Sequence, residues 1–348
     1  MGHKRADKRK RKHVMQQEEH LSTANTPRSI RDRVGIFSEA TDILDAITKT
    51  REAEQAGVQQ IWAQNAGNAD LLTFFAVVAT QTERIRLGSA IVPAYPRHPL
   101  TLAQQAFAIE DLAPGRLRLG IGPGNRMLIE GSYGLSQTTP LSYLKEYLEI
   151  LHGVFRDGAI SYHGTFFNVV HTSGNAYGPT APRRASVPLL TSAVGLKAFR
   201  LAGEVADGAI SWGCPIPYLL ESALPALRAG AEGRSRPTPP IIAHVLVALS
   251  TDETKVRTLM RQRVQMGARF APYARMFALA GFPRAVDGNE EEVDALARAR
   301  VISGNEATVR SRLEELLASG LDELMLQLVP VADEESERKQ LIHLVGSL

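Results

Sequence analysis

A chain of 348 residues, 44% of them hydrophobic and 22% charged, has the composition of a globular protein with a large core, which excludes a fibrous or wholly disordered chain. Its most apolar run, residues 71–79, is far shorter than the roughly 20 residues that cross a membrane, so a transmembrane helix is excluded as well. The single cysteine, Cys214, rules out an intramolecular disulfide, speaks against a structural zinc site and favours a reducing cytoplasm.

The net charge of +3 is unevenly spread along the chain. Residues 1–33 hold ten Lys and Arg against four Asp and Glu, a net +6, so the rest of the chain carries −3. This basic segment has almost no hydrophobic side chains to bury, which predicts a disordered tail, and it lacks the apolar stretch of a secretory signal. Contact with nucleic acid or acidic lipid is the alternative; we favour a solvated extension, or a translation start further along at Met15.

Eight strands are predicted beyond the tail, at residues 34–37, 60–63, 85–92, 116–122, 187–191, 208–212, 241–250 and 323–329. Helical stretches lie between most of them, and repeated strand–helix units indicate a parallel sheet, either a barrel or a doubly wound sheet. Eight is the number of strands in a TIM (β/α)₈ barrel, which takes about 250 residues. The predicted fold is therefore α/β, a single TIM barrel over residues 34–348, with two smaller domains as the alternative.

Two stretches hold strands or helices beyond the eight strand–helix units of a simple barrel. Residues 160–170 alternate apolar and polar side chains around Gly164, which is typical of a hairpin. Residues 261–300 hold more helical sequence than one crossover needs, so we expect a helical insertion that covers the barrel mouth. Capping residues and glycine stops mark helix boundaries elsewhere, namely Thr41 and Asn305, and Gly57 and Gly320.

The stretch 84–124, RIRLGSAIVPAYPRHPLTLAQQAFAIEDLAPGRLRLGIGPG, is the most informative about function. Its prolines at 93, 96 and 99 impose extended or turn geometry and stiffen the loop before the next helix. Its glycines at 120, 122 and 124 suggest a dinucleotide-binding fingerprint, but that pattern requires glycine at 125, where this chain has Asn.

Three motifs in this stretch are specific when taken together: Arg97-His98-Pro99 followed by Ala103-Gln104-Gln105, then Gly115-Arg116-Leu117, then Leu119-Gly120-Ile121-Gly122. They resemble the luciferase-like monooxygenase superfamily, and within it the coenzyme F420-dependent oxidoreductases related to methylenetetrahydromethanopterin reductase. The likeness extends more thinly over residues 34–329. It implies a TIM barrel with its active site at the carboxyl ends of the strands, a deazaflavin or flavin cofactor, and a homodimer formed through helices of the early barrel.

The resemblance also implies which strand ends contact the cofactor ring. A non-prolyl cis peptide bond and a bulge are expected at Ala90–Ile91, pressed against the ring, with an ordinary strand end as the alternative. Pro123, Gly124 and Leu128 are implied as further neighbours of the ring, because strand glycines would let backbone amides reach its polar edge.

An anionic cofactor tail is expected at Val194, Gly195 and Lys197, where the fifth strand passes into a helix. A helix N-terminus offers free N–H groups and a positive dipole, and Lys197 adds charge unless it simply faces solvent. Arg97 is a candidate contact of the cofactor tail or the substrate. His98 is a candidate proton donor, with capping of the following helix as the alternative.

Missing acid–base residues narrow the expected chemistry. In resembling sugar-phosphate dehydrogenases an Asp-His pair after the second strand and a Glu after the fourth manage the proton of a carbinol; this chain has Gln64, Asn65 and Asn125 there. Amides are not acids or bases near neutral pH, but Gln64 and Asn65 can polarise a substrate or hold the ring. We therefore expect hydride transfer from reduced coenzyme F420 to an activated C=C or C=N bond of a small organic substrate.

Other functions remain as alternatives of lower rank. An FMN-dependent monooxygenase on the same fold, using reduced flavin and oxygen, is the nearest, and a non-catalytic flavin-binding or nucleic-acid-associated protein is the next. The nine histidines show no metal-binding spacing, and no G-x-S-x-G motif suggests a serine hydrolase. Cys214, between Gly213 and Pro215, is expected to be structural rather than a nucleophile.

Overall fold

The computed structural model describes residues 28–39, 42–64, 69–172 and 181–348. Its strands, in chain order, are β1 (Val34–Phe37), β2 (Gln60–Ala63), β3 (Arg86–Ser89), β4 (Val92–Pro93), β5 (Leu117–Gly122), β6 (Ile160–His163), β7 (Asn168–His171), β8 (Leu189–Ala193), β9 (Gly208–Ser211), β10 (Ile241–Ala248), β11 (Val301–Ser303) and β12 (Glu323–Leu328).

Eight of these strands close into a parallel barrel. The order of neighbours is β1-β2-β3-β5-β8-β9-β10-β12, and β12 returns to β1, pairing Leu324 with Val34. Every predicted strand corresponds to one of the eight, so the predicted TIM barrel is confirmed. The remaining strands are additions: β4 continues beside β5, β11 pairs with the outer end of β10, and β6 and β7 form an antiparallel hairpin over the residues where the sequence predicts one.

The helices, in chain order, are α1 (Ile30–Arg33), α2 (Ile43–Gln55), α3 (Leu71–Ala79), α4 (Pro99–Leu112), α5 (Pro140–Asp157), α6 (Leu196–Val205), α7 (Ile216–Tyr218), α8 (Leu224–Glu232), α9 (Glu253–Ala268), α10 (Ala271–Leu279), α11 (Glu290–Arg298), α12 (Glu306–Ala318) and α13 (Glu334–Gly346). Helices α9 to α11 with a short 3₁₀ turn at Pro283–Asp287 occupy the region of the predicted insertion. No helix among the described residues is both long and apolar enough to span a bilayer.

Side-chain caps and glycine stops define the helix ends where the sequence indicates them. The Asn305 side chain accepts a hydrogen bond from the Thr308 N–H at 2.9 Å, and Gly320 ends the same helix with φ +108°. At α2 the cap is Asp42, which accepts from the Asp45 N–H at 2.9 Å. The predicted cap at Thr41 lies outside the described residues.

A buried ion pair closes the amino-terminal end of the barrel. Arg118 Nη1 lies 2.5 Å from Glu323 Oε2 and donates to Gln60 Oε1 at 2.6 Å. Arg28 donates to the other Glu323 oxygen at 2.8 Å. Above this floor Trp62 fills the barrel, leaving no room for a Cβ at Gly88, which would lie 2.3 Å from the indole.

The predicted tail ends earlier than the charge pattern indicates. Residues 28–33 form α1 and its cap, and the Arg33 guanidinium donates to the carbonyl oxygens of Leu317, Leu321 and Asp322. Arg28 and Arg33 therefore both donate hydrogen bonds to acceptors at the barrel floor. A count of charges along the chain does not reveal these contacts. The rest of the predicted tail, residues 1–27, lies outside the described residues.

Candidate active site

The carboxyl ends of the eight strands meet at one end of the barrel, where a TIM barrel forms its active site. Strand register brings these ends to similar heights: Ala63 pairs with Ser89, Pro93 with Gly122, and Ala193 with Ser211. The candidate site residues on the ends of β2, β3, β5 and β8 therefore surround a common mouth.

The peptide bond between Ala90 and Ile91 is cis, as expected from the resemblance. The Ala90 N–H donates to the Ala63 carbonyl at 2.7 Å, so β3 stays attached to β2 up to the bulge. On the other side the Ser89 hydroxyl accepts from the Gly120 N–H at 2.7 Å and donates to the Gly120 carbonyl at 2.9 Å. The bulge is thus fixed from both sides, with Ala90 buried and Ile91 partly exposed.

The glycines of β5 are required by the packing of the barrel itself, and backbone contact with a cofactor ring at this strand end stays a prediction. A Cβ at Gly120 would lie 2.0 Å from the Ser89 carbonyl oxygen, and one at Gly122 would lie 2.3 Å from Ser192 Oγ and 3.1 Å from the Ile91 side chain. Protein atoms therefore occupy the space that the missing side chains leave. Ring contact remains a prediction at Pro123, Gly124 and Leu128.

Those three residues lie where the chain leaves β5. Pro123 and Gly124 are partly buried, and Gly124 adopts φ +77°, which favours glycine. The Gln137 side-chain amide donates to the Pro123 carbonyl at 2.8 Å, fixing this turn. Leu128 begins a π-helical turn and is exposed.

The amino terminus of α6 is open. Gly195 is its N-cap, no side chain caps the helix, and a Cβ at Gly195 would meet no atom within 4 Å. The Tyr218 hydroxyl donates to the Val194 carbonyl at 2.9 Å and anchors the turn, while Lys197 is exposed on the first turn. Uncapped N–H groups facing free space form a site suited to an anion.

Of the two amides predicted to replace an acid–base pair, the structure describes one. Gln64 follows β2 directly and its side chain is exposed. Asn65 lies outside the described residues. Asn125, after β5, accepts a hydrogen bond from the Met127 N–H at 2.8 Å and so organises its own turn.

Arg97 and His98 are both held by protein contacts. Arg97 forms an ion pair with Asp70, whose carboxylate also accepts from the Thr73 N–H at the start of α3. His98 Nδ1 accepts from the Leu100 N–H at 3.2 Å, which is the capping role that stood as its alternative. Burial lowers the pKa of His98, which favours the neutral, accepting ring. Catalysis by His98 and cofactor contact by Arg97 remain predictions.

A polar chain that the sequence reasoning missed lies at the top of the barrel interior. The Gly213 N–H donates to His244 Nδ1 at 3.1 Å, and His244 Nε2 lies 2.8 Å from Gln327 Oε1. The Gln327 side-chain amide in turn donates to Glu39. Since Nδ1 accepts, the ring proton must be on Nε2, so His244 is neutral and both of its nitrogens are in use. Burial lowers its pKa to about 3.

Aromatic rings pack against this series of hydrogen-bonded side chains. Trp212 stacks on His244 with centroids 4.0 Å apart, and Phe37 meets the indole edge-on at 5.0 Å. A lone histidine in the otherwise apolar strand β10 was the sequence signal for this arrangement. The hydrogen bond from Gly213 to His244 and the stacking of Trp212 on the same ring hold the end of β9 in one position.

Cys214 follows this turn and is fully enclosed. Burial raises the pKa of its thiol to about 12, which leaves it protonated and unreactive near neutral pH. A structural role is what this environment supports.

Comparison with known proteins identifies the family. The family model of luciferase-like monooxygenases matches residues 22–329. The chain belongs to this family. It is an oxidoreductase.

Two of the similar proteins are named as an F420-dependent oxidoreductase and a reductase. A protein of Mycobacterium tuberculosis, provisionally named a coenzyme F420-dependent oxidoreductase, is 32% identical over 164 residues, 45% of this chain and 47% of that protein. The chain thus matches about half the length of this relative. The 5,10-methylenetetrahydromethanopterin reductase of Methanopyrus kandleri is 23% identical over 327 residues, 84% of this chain and 90% of that protein.

Solved structures share the fold. An F420-dependent secondary alcohol dehydrogenase in complex with an F420–acetone adduct superposes with a TM-score of 0.72 at 17% identity, over 90% of this chain and 98% of that one. The EDTA monooxygenase of Chelativorans superposes with a TM-score of 0.71 at 14% identity, over 90% and 92%.

Proposed function

We propose that this protein is a coenzyme F420-dependent reductase that transfers hydride to an activated C=C or C=N bond of a small organic substrate. The observation that carries the proposal is the mouth itself, where an uncapped helix terminus suits an anion and the Gln64 amide stands directly after β2 in place of an acid–base residue. The F420-dependent names among its relatives favour the deazaflavin over FMN.

The described residues fit such a cofactor. The uncapped terminus of α6, with Val194, Gly195 and Lys197, would hold the anionic tail. Ala90, Ile91, Pro123 and Gly124 would seat the ring at the neighbouring strand ends. When bound, the reduced deazaflavin supplies the hydride, and the barrel supplies its position.

The amide after β2 supports reduction over alcohol oxidation. Oxidising a carbinol needs a base for the hydroxyl proton, and Gln64 occupies the position after β2 where the resembling dehydrogenases carry acid–base residues. His244 cannot serve, because both ring nitrogens are engaged and its pKa is depressed. An exposed Gln64 amide can instead donate a hydrogen bond to the carbonyl or imine that activates the accepting bond.

Glu39 is the carboxylate at the mouth end of β1. One of its oxygens accepts from Gln327, and Oε2 has no partner among the described residues. The hydrogen bond from Gln327 holds Glu39 in place, so its carboxylate can orient a water molecule at the mouth. Glu39 is therefore a positioning residue in this proposal.

Anaerobic single-turnover reactions test the proposal. Reduced F420 with the protein should be oxidised by enones or cyclic imines, whereas oxidised F420 should not be reduced by secondary alcohols or sugar phosphates. Gln64→Leu should slow the reduction by about tenfold or more while leaving the Kd for F420 unchanged. Gln81→Leu, an exposed glutamine beyond the end of α3, is the matched control and should have no effect.

The second candidate is an FMN-dependent monooxygenase, favoured by the superposition on the EDTA monooxygenase. Oxygen consumption with reduced FMN that depends on an added substrate would support it. Alcohol-dependent reduction of F420 would instead contradict the direction of hydride transfer that we propose.

A further inference from the structure

Arg300 lies between α11 and β11 and reaches the end of β9. A Cβ built on Gly213 would be only 2.6 Å from Arg300 Nη2, so the guanidinium rests against the backbone of that turn. Gly213 adopts φ +63°, a conformation that favours glycine, and glycine here also admits the guanidinium. The insertion thus delivers a cation to the mouth, next to Trp212.

Among the residues that the structure describes, the guanidinium of Arg300 has no anionic partner. Its Nε and Nη1 are shut off from solvent without a hydrogen bond, and it forms no ion pair with any residue that the structure describes. Its face-on contact is with Phe277, whose ring centroid lies 5.2 Å from Cζ. Burying an unpaired charge is costly, so an arrangement of this kind is typical of a site that a ligand completes.

The groups around Arg300 do not neutralise it. The Cys214 thiol and the Tyr273 phenol both have pKa values that burial raises to about 12, so they are uncharged near neutral pH. Arg263 is a second positive charge nearby, and burial together with Arg263 lowers the pKa of Arg300 to about 10. The guanidinium nevertheless remains charged near neutral pH.

Carboxylates on the same insertion are engaged elsewhere. Asp294 accepts from Arg261 at 2.6 Å, and Glu290 lies 3.7 Å from the same guanidinium. Their charges are therefore committed to Arg261 and not to Arg300.

We infer that Arg300 binds an anionic group of the substrate, a carboxylate or a phosphate, at the barrel mouth beside Gly213. This inference rests on the proposed function and names the substrate class of the same site. A planar guanidinium suits such oxyanions, and an anion beside Gly213 would satisfy donors that are buried and unpaired without it. The cofactor tail is assigned to α6 after β8, whereas Arg300 comes from the insertion between β10 and β12, and loops of that kind determine substrate choice in this fold.

Tryptophan fluorescence reports on this site. The chain has two tryptophans, of which Trp62 is buried at the barrel floor and Trp212 lies at the mouth. We would titrate the full-length protein with succinate and with inorganic phosphate, without cofactor, and follow both emission and Tm. Saturable binding of at least one anion, with a rise in Tm, is expected. In Trp212→Phe the emission change should vanish while the rise in Tm persists.

Arg300→Met keeps the packing on Phe277 and should weaken anion binding at least tenfold without lowering the Tm of the free protein. Arg300→Lys should recover part of the affinity, and Arg298→Met, an exposed arginine two residues earlier, is the control that should match wild type. Failure of wild type to bind either anion, or unchanged binding by Arg300→Met, would overturn the inference.

The cofactor tail is the competing source of the anion. Wild type and Arg300→Met are compared for binding of F420 and of its chromophore without the phosphate-bearing tail. Equal affinities in the two proteins are expected; a loss confined to intact F420 would assign Arg300 to the tail and overturn the substrate assignment. If wild type binds the simple anions through Arg300 but not F420, the proposed function fails and the anion site stands.

Discussion

Replacing Gly195 by Asp should raise the stability of the protein and lower its affinity for the cofactor. Gly195 has φ −89° and ψ 159°, which suit any N-cap residue, and a side chain there would meet no atom within 4 Å. An Asp side chain can therefore accept from the free N–H groups of α6. Capping adds a few tenths of a kcal/mol over glycine, and the helix dipole adds about 0.3–1 kcal/mol. The expected rise in Tm is about 1–3 °C.

The same carboxylate would occupy the place of an anionic tail and repel it. Two unit charges about 5 Å apart repel by about 0.8 kcal/mol in water and by about 3 kcal/mol at an effective dielectric constant of about 20. Affinity for F420 or FMN should thus fall between about fourfold and about 150-fold. Gly195→Asn, which caps without charge, is the matched control and should lose less.

Fluorescence titration and thermal unfolding measure the two effects on the same samples. If Gly195→Asp gains stability yet binds the cofactor as tightly as Gly195→Asn does, an anion is not held at this helix terminus. Loss of both stability and affinity would mean that the N-cap geometry itself is different.

Further variants test the floor and the top of the barrel. Glu323→Gln should lower the free energy of unfolding by about 3–5 kcal/mol, because it leaves the Arg118 charge buried without its partner. Arg28→Gln removes a more exposed partner of Glu323 and should lower the free energy of unfolding by about 1 kcal/mol or less. Denaturant unfolding measures both losses. His244 has a folded-state pKa of about 3, so the unfolded chain takes up its proton first as pH falls below about 6.5, and the stability advantage of wild type over His244→Gln should shrink by about 1 kcal/mol or more between pH 6.5 and 5. The Cys214 thiol, protonated and enclosed, should react with an aromatic disulfide reagent only after unfolding.

Each of these expectations has a result that contradicts it. Equal losses in the two floor variants would mean that Arg118 is neutralised in another way. A difference between wild type and His244→Gln that stays constant with pH would mean that the imidazole titrates alike in the folded and unfolded chain. Rapid labelling of native Cys214 would mean that the turn after β9 opens readily.

The barrel could be predicted from the sequence because its strands and helix ends are each marked by residues close together in the chain. Most of the barrel strands are short and rich in apolar residues, and Asn305 and Gly320 bound their helix by contacts within a few residues. The cis bond at Ala90–Ile91 followed from a resemblance, since no local pattern requires it. These features depend on neighbours in the chain or on a family motif.

The features that sequence reasoning missed depend on residues far apart in the chain. The chain from Glu39 through Gln327 to His244 joins the first, eighth and seventh barrel strands, and its hydrogen bonds exist only once the register is set. Arg28 is bound at the barrel floor by Glu323, 295 residues away. Whether an arginine such as Arg300 has a partner is likewise decided by the folded structure.

The most direct test of the central claim is titration of the purified apoprotein with coenzyme F420 and, in parallel, with FMN, followed by cofactor fluorescence. The proposed function predicts tight binding of F420 and weak binding of FMN. Preference for FMN would contradict it in favour of the monooxygenase, and binding of neither would contradict the assignment of a deazaflavin or flavin to this barrel.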